Sequence, residues 1–95
     1  MSHIWQFEEI DFNGHCRARY GASGKPFDYY QFAYRFGYEL ATCGTCREKN
    51  WESVEIPARR DWAKMWPYRS WFDFRDAVRF GWQMGRAVMT RQELE

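Results

Sequence analysis

The sequence predicts an all-α protein: one small domain of about four short helices, arranged as two helical hairpins around an aromatic-rich core. The 95 residues allow a single domain and no more. Aromatic side chains make up 21% of the chain, and a few such rings close a small core. Apolar residues recur at helical spacing between glycine and proline breaks. We therefore expect an N-terminal arm at residues 1–8, a helical domain at 9–89 and a frayed tail at 90–95.

The first predicted helix covers about residues 8–20. Gly14 lies within it and weakens it by up to ~1 kcal/mol relative to alanine. The following segment, residues 21–26, reads Gly-Ala-Ser-Gly-Lys-Pro. This composition predicts a turn, which links the first helix to the second and closes the first hairpin.

The second predicted helix is the central one. It covers about residues 29–43, with Asp28 as its N-cap and Gly44 just past its end. Most of its side chains are apolar, and so narrow a polar stripe is typical of a helix that is covered on most sides. The polar stripe consists of Gln31, Arg35 and Glu39.

The second hairpin contains the third and fourth helices. The third covers about residues 57–66 and starts at its proline, since proline suits the first turn of a helix. Residues 51–55 are expected to form a lead-in turn. The fourth covers about residues 71–89, with Ser70 as N-cap and Asp73 completing an acidic variant of the capping box.

An internal similarity relates the two long helices. Residues 32–38 resemble residues 76–82, at an offset of 44 positions (from 33 to 77 for the shared alanine). The shared Phe-Gly-aromatic step places Gly37 and Gly81 in mid-helix, where glycine is usually kept because another backbone comes close. We expect the two long helices to cross near these glycines. Internal duplication is one source of this similarity; chance likeness between amphipathic helices is the other.

The cysteines offer one candidate metal site. Cys43 and Cys46 have the CxxC spacing, and with Cys16 and His15 they form a conceivable Cys3His zinc set. Against zinc, His15 and Cys16 are consecutive, so their side chains diverge by ~100° on a helix. Against redox chemistry, the CxxC ends a helix, where the helix dipole raises a thiol pKa. We therefore expect incidental cysteines, no metal and no cofactor.

Arginine stands out among the charged residues, with 11 Arg against 3 Lys. Arg75, Arg79 and Arg86 share one arc of the fourth helix, with Trp82 near its edge. This combination is typical of a protein-binding surface, and it is the interaction surface that we predict. It also suits nucleic acid, although the net charge is only +1 with 13 acidic residues. No nucleophile–base pair or phosphate-binding loop is recognisable, so we do not expect an enzyme.

Several short motifs follow one another in the chain: Tyr-x-x-Ser-Gly at 20–24, Ala-Tyr-Arg-Phe-Gly-Tyr at 33–38, Arg-Arg-Asp-Trp at 59–62 and Asp-Ala-Val-Arg at 76–79. In this order they resemble a family of small uncharacterised bacterial proteins and tail domains, over about residues 11–87. The resemblance implies a stress-associated protein, and it brings no known activity. The other matching residues are Phe12, His15, Asp28, Tyr29, Trp51, Val54, Glu55, Trp71 and Trp82.

The cysteines are not part of this resemblance. Cys16 stands where the family pattern has tyrosine, and Phe32 stands where it has proline. Cys43 and Cys46 fall in a turn that varies. These departures weaken the zinc and redox interpretations further.

The chain has no apolar run near the ~18 residues that a membrane helix needs, and its start does not resemble a secretory signal. Its three cysteines do not make a disulfide framework. We therefore predict a non-enzymatic cytoplasmic interaction or scaffold protein that binds a protein partner or itself and no membrane. The alternatives are a nucleic-acid-binding module that uses the arginine surface and a zinc-stabilised domain that uses Cys43 and Cys46.

Overall fold

Four α-helices follow one another in the computed structural model, which describes residues 12–42 and 50–94. They are α1 (Phe12–Tyr20), α2 (Phe27–Leu40), α3 (Trp51–Met65) and α4 (Trp71–Leu94), with a single 3-10 turn at Gly21–Ser23. No strand occurs in the part of the chain that the structure describes. The predicted all-α class and aromatic-rich core are confirmed. The predicted arm and the start of the first helix lie outside the described residues.

The second helix begins earlier than the sequence indicates. Pro26 is its N-cap, with an extended backbone at φ −74° and ψ 166°. Asp28 therefore lies in the first turn and is not the predicted cap; its carboxylate there suits the positive end of the helix dipole. The helix ends at Leu40, and the predicted stop at Gly44 lies outside the described residues.

The third helix also begins earlier, at Trp51 and not at Pro57. The Asn50 side chain caps it by accepting a hydrogen bond from the Ser53 amide at 2.9 Å. Pro57 lies inside the helix, so the prediction that it starts the helix is wrong. Proline has no amide hydrogen, so the Ser53 carbonyl receives no hydrogen bond from position 57 of the helix. Both residues are exposed, so water can donate this hydrogen bond to the carbonyl.

The fourth helix begins at Trp71, as predicted. The Asp73 amide donates to the Ser70 carbonyl at 3.1 Å in its first turn. The helix continues to Leu94, beyond the predicted end near Met89, so residues 90–94 extend α4. None of the helices in the described ranges is both long and apolar enough to cross a membrane.

The core lies mainly between α2 and α4, which form the most extensive helix pairing. The first helix packs on both of them, and α3 contacts α4. The third helix also reaches α2, because the Trp62 ring stacks on Phe32 with centroids 5.3 Å apart. The largest side chains that are fully buried are Trp62, Trp82, Tyr34, Phe74, Val54 and Val78.

Two glycines allow the two long helices to meet. A Cβ at Gly37 would lie 1.9 Å from the Val78 carbonyl oxygen, and a Cβ at Gly81 would lie 2.2 Å from the Tyr34 carbonyl oxygen. No real Cβ tolerates such distances, so only glycine permits this backbone approach. The two contacts are reciprocal, since the same offset of 44 positions relates Gly37 to Gly81 and Tyr34 to Val78.

A third glycine extends the same contact toward the ends of the helices. A Cβ at Gly85 would lie 2.7 Å from the Cβ of Ala41 and 2.9 Å from the Tyr38 carbonyl oxygen. Gly81 contacts Tyr34, and Gly85, one turn later on α4, contacts Tyr38 and Ala41, which come later in the chain. Residue numbers thus increase in the same direction along both helices. The helices therefore cross in a parallel sense.

Candidate functional site

The predicted interaction surface on α4 is divided by the structure. Trp82 is only 2% exposed, and its ring packs against Trp51 with centroids 5.4 Å apart. Because α3 begins at Trp51, it covers the arc of α4 that a shorter third helix would have left open. The surface position expected for Trp82 is therefore corrected to a core position. Of the predicted interaction surface, only the three arginines reach the surface of the protein.

Arg75 is held by a carboxylate of α3. Its Nε and Nη2 atoms donate to the two carboxylate oxygens of Glu55, the latter bond at 3.1 Å. The Trp71 indole N–H also donates to Glu55, at 3.1 Å. The hydrogen bond from Arg75 is the main reason that the pKa of Glu55 lies below its ordinary value. This pair ties α3 to α4 and neutralises a charge that a nucleic acid would need.

The other two arginines lie against indole rings. The Arg86 guanidinium carbon is 4.6 Å from the Trp82 ring centroid, and that of Arg79 is 6.0 Å from the Trp51 centroid. Both side chains are half-buried. Guanidinium groups gain cation–π attraction in such positions. These arginines cover the junction of α3 and α4, so their structural role accounts for much of the pattern that predicted a binding surface.

His15 forms a hydrogen bond with a core tyrosine. Its Nδ1 atom lies 2.7 Å from the Tyr34 hydroxyl, and the neighbouring Cys16 side chain is buried. The phenol donates to Nδ1 when the histidine proton is on Nε2, and Nδ1 donates to the phenol oxygen in the other tautomer. The sequence did not indicate this bond, because it forms only when α1 packs on α2.

Burial governs the chemistry of this group. Desolvation lowers the pKa of His15 below its ordinary 6.5, and its ring stacks on Phe80 at 4.0 Å. The Cys16 thiol is 4% exposed, and burial raises its pKa. A protonated, inaccessible thiol is a poor nucleophile and a poor metal ligand. The arrangement is therefore a satisfied polar contact in the core.

The candidate zinc ligands are not brought together among the described residues. Cys43 and Cys46 lie outside them. Within the described ranges, no group of three or more histidine, cysteine or acidic side chains is arranged to hold a metal ion. The Nδ1 atom of His15 is already hydrogen-bonded to Tyr34.

A cleft of about 340 Å³ lies between the turn that follows α1 and the start of α4. Aromatic rings form part of its wall, and polar side chains complete it. In the turn, Gly24 has φ 78°, the left-handed conformation that favours glycine. The aromatic lining consists of Tyr20, Tyr29, Tyr30 and Phe72, and the polar lining of Arg19, Ser23, Lys25 and Asp73.

Apolar side chains are exposed on the second hairpin. Ile56 on α3 is 66% exposed and Phe72 on α4 is 67% exposed. The Arg59 guanidinium carbon lies 4.9 Å from the Phe72 ring centroid and connects the two helices at the surface. We call Ile56, Arg59 and Phe72 the apolar surface. The sequence did not predict this surface, because its pattern places Ile56 before the start of the third helix.

Comparisons with protein-family models, with curated proteins and with solved structures give no match for this chain. The resemblance drawn from the short motifs therefore stays a prediction.

Proposed function

We propose that this chain is a non-enzymatic interaction protein that binds a second copy of itself through the apolar surface. The observation that carries the proposal is the exposure of Ile56 and Phe72 on adjoining helices. Large apolar side chains that are grouped on a surface mark interaction sites, whereas single ones do not. Arg59 is three residues after Ile56 on α3, which makes the two side chains neighbours on the helix surface, and its guanidinium lies over Phe72; arginine is common in interfaces.

The charges around Ile56 favour a second copy as the occupant. Glu52 and Arg60 lie four residues before and after Ile56 on α3, and both are exposed. In an antiparallel pairing of α3 with its copy about a two-fold axis at Ile56, position 52 of one chain lies opposite position 60 of the other. Each glutamate then faces an arginine, which is the self-complementarity that a two-fold interface requires.

Three further observations support the proposal. The buried Cys16 thiol is free, and the Glu55 carboxylate is held by Arg75, so neither suits a catalytic role. A free thiol in the core also agrees with a reducing compartment such as the cytoplasm. The net charge of +1 allows two copies to approach with little repulsion.

Sedimentation velocity over a series of protein concentrations tests the dimer. We expect a weak dimer, because pairing of one helix and one ring buries less than about 1,200 Å². Ile56→Ser removes the central apolar contact and should shift the protein to monomer. Since Ile56 is exposed in the single chain, this variant should keep its circular dichroism spectrum.

Charge exchange gives the sharper test. Glu52→Arg and Arg60→Glu should each weaken the dimer about tenfold, because each places like charges opposite one another. The double variant should restore dimerisation. Asp61→Arg, an exposed change on the same helix, is the matched control and should have little effect. A wild-type monomer at every concentration, or a double variant that fails to recover, would overturn the proposal.

A further inference from the structure

The cleft beside α4 carries hydrogen-bond donors on one side. The Lys25 ammonium group lies 4.6 Å above the Tyr29 ring and has no carboxylate partner among the described residues. The Ser23 Oγ atom accepts bonds from the Lys25 amide at 3.2 Å and from the Tyr30 hydroxyl at 3.0 Å. Its two acceptor positions are thus in use, and its proton is available for donation. Arg19 binds Asp76 through Nε and also lines the cleft.

Aromatic rings provide flat walls beside these donors. Tyr20 and Tyr30 stack with centroids 4.0 Å apart at 14°, and Tyr29 packs edge-on against Tyr30 at 5.0 Å. Tyr20 and Tyr30 are 9% and 4% exposed, and Lys25 and Arg69 lie over the Tyr29 ring, so these rings hold the wall in place without offering an open face. Phe72 also lines the cleft and is 67% exposed. A planar ligand can therefore stack on the Phe72 ring.

The charges around the cleft favour an anion. Arg69 lies 5.6 Å from the Tyr29 centroid, and Arg59 lies over Phe72, so cations border two of the wall rings. Together with Lys25, these two arginines outnumber the one free carboxylate of the cleft, that of Asp73. The Asp73 carboxylate can accept a hydrogen bond from a hydroxyl or an amino group.

The volume limits the ligand to one small molecule. At about 340 Å³ the cleft is near the lower end of the range of about 300–1,000 Å³ found for ligand sites. We propose that it binds a nucleoside monophosphate: the phosphate at the Lys25 and Ser23 donors, the planar base against the exposed Phe72 ring, and a sugar hydroxyl at Asp73. The cleft shares Phe72 with the apolar surface of the proposed dimer, so binding is measured at protein concentrations where the chain is monomeric; Ile56 does not line the cleft.

Titration of the full chain with adenosine 5′-monophosphate, followed by amide NMR shifts, tests the proposal. Saturable shifts should appear at residues 23–30 and 72–73. Adenosine lacks the phosphate, and ribose 5-phosphate lacks the base. Each should bind about tenfold more weakly than the complete nucleotide, because each gives up one of the two kinds of contact. Inorganic phosphate should bind more weakly still.

A matched pair of lysine variants locates the site. Lys25→Gln should weaken binding of the nucleotide about tenfold, since a charge-assisted contact is lost. Lys64→Gln removes an exposed lysine that does not line the cleft and should leave binding unchanged. Ile56→Ser should also leave it unchanged, which separates this proposal from the dimer.

Four results would overturn the proposal. They are the absence of saturable shifts, equal binding of adenosine, equal binding of ribose 5-phosphate, and unchanged affinity in Lys25→Gln. Equal binding of adenosine would show that the donors are unused, and equal binding of ribose 5-phosphate would show that the rings are unused.

Discussion

Gly37 lies so close to Val78 that a methyl group on Gly37 would be 1.9 Å from the Val78 carbonyl oxygen. The atom in the way belongs to the backbone of a buried helix and cannot rotate aside. The crossing of α2 and α4 therefore depends on the absence of a side chain at this position.

Gly37→Ala should destabilise the protein by about 3 kcal/mol or more, because overpacking against a rigid backbone forces the helices apart. Chemical denaturation followed by tryptophan fluorescence measures the change in the free energy of unfolding. Gly21→Ala is the control: nothing lies within 4 Å of a Cβ at Gly21, so its effect should stay within about 1 kcal/mol. Equal effects at the two sites would contradict this account of the crossing.

Glu55→Gln should lower the free energy of unfolding by about 1–2 kcal/mol. The variant loses a charged bond to Arg75 that is partly exposed, which reduces its value below that of a buried pair. Asp61→Asn, on the exposed side of the same helix, should change stability by less than about 0.5 kcal/mol. Thermal or urea unfolding of both variants decides between a structural pair and an incidental one.

The same pair predicts an acid dependence. The pKa of Glu55 is lower in the folded chain than its ordinary 4.5, so the unfolded chain binds this proton first. The stabilising contribution is present above pH 4.5 and is lost as the pH falls through the folded pKa. Urea midpoints measured below pH 5 should fall more steeply for the wild type than for Glu55→Gln. Parallel curves would contradict the prediction.

His15 predicts a second, milder dependence at higher pH. Its pKa is lowered from 6.5 by burial, so the unfolded chain takes up this proton more readily. The free energy of unfolding should therefore fall as the pH drops below about 6.5. Urea midpoints between pH 8 and pH 5 measure the slope. The slope should flatten in His15→Asn, and an unchanged slope in that variant would assign it to another group.

Tyr20 predicts an alkaline dependence. Its hydroxyl accepts a hydrogen bond from the Ala77 amide at 3.1 Å, and desolvation raises its pKa from 10.0 to about 12. The unfolded chain loses this proton first, so the contribution is present below pH 10 and is lost as the pH rises toward 12. Tyr20→Phe should lower the free energy of unfolding by about 1 kcal/mol at neutral pH. Between pH 10 and pH 12, the stability of this variant should fall less steeply than that of the wild type. Absorbance of phenolate measures the ionisation directly.

Much of the architecture was predictable from local signals. The turn at residues 21–26, the break before Trp71 and the helical spacing predicted the order of the helices. The shared Phe-Gly-aromatic step placed Gly37 and Gly81 on the two long helices, and these are the residues at which the backbones meet. Signals of this kind lie within a few residues of one another, so the sequence alone contains them.

The rest depended on which segments pack together. Pro57 was interpreted as the start of α3, because proline suits a first turn, whereas the Asn50 cap starts the helix at Trp51. That one difference moved Trp82 from the surface into the core, beneath Trp51. The cleft was not predictable either, since it joins the turn near Lys25 to the start of α4, and no local pattern relates them.

The reciprocal contact of Gly37 and Gly81 also bears on how the chain unfolds. Each glycine lies in one hairpin, and a backbone carbonyl group of the other hairpin occupies the space beside it. Neither hairpin therefore has a complete core alone. The two halves should melt together in one cooperative transition, with no half-folded species populated. Backbone amides around the crossing should then exchange with deuterium only when the whole chain opens. A close approach of two helices thus makes one cooperative unit of the two hairpins.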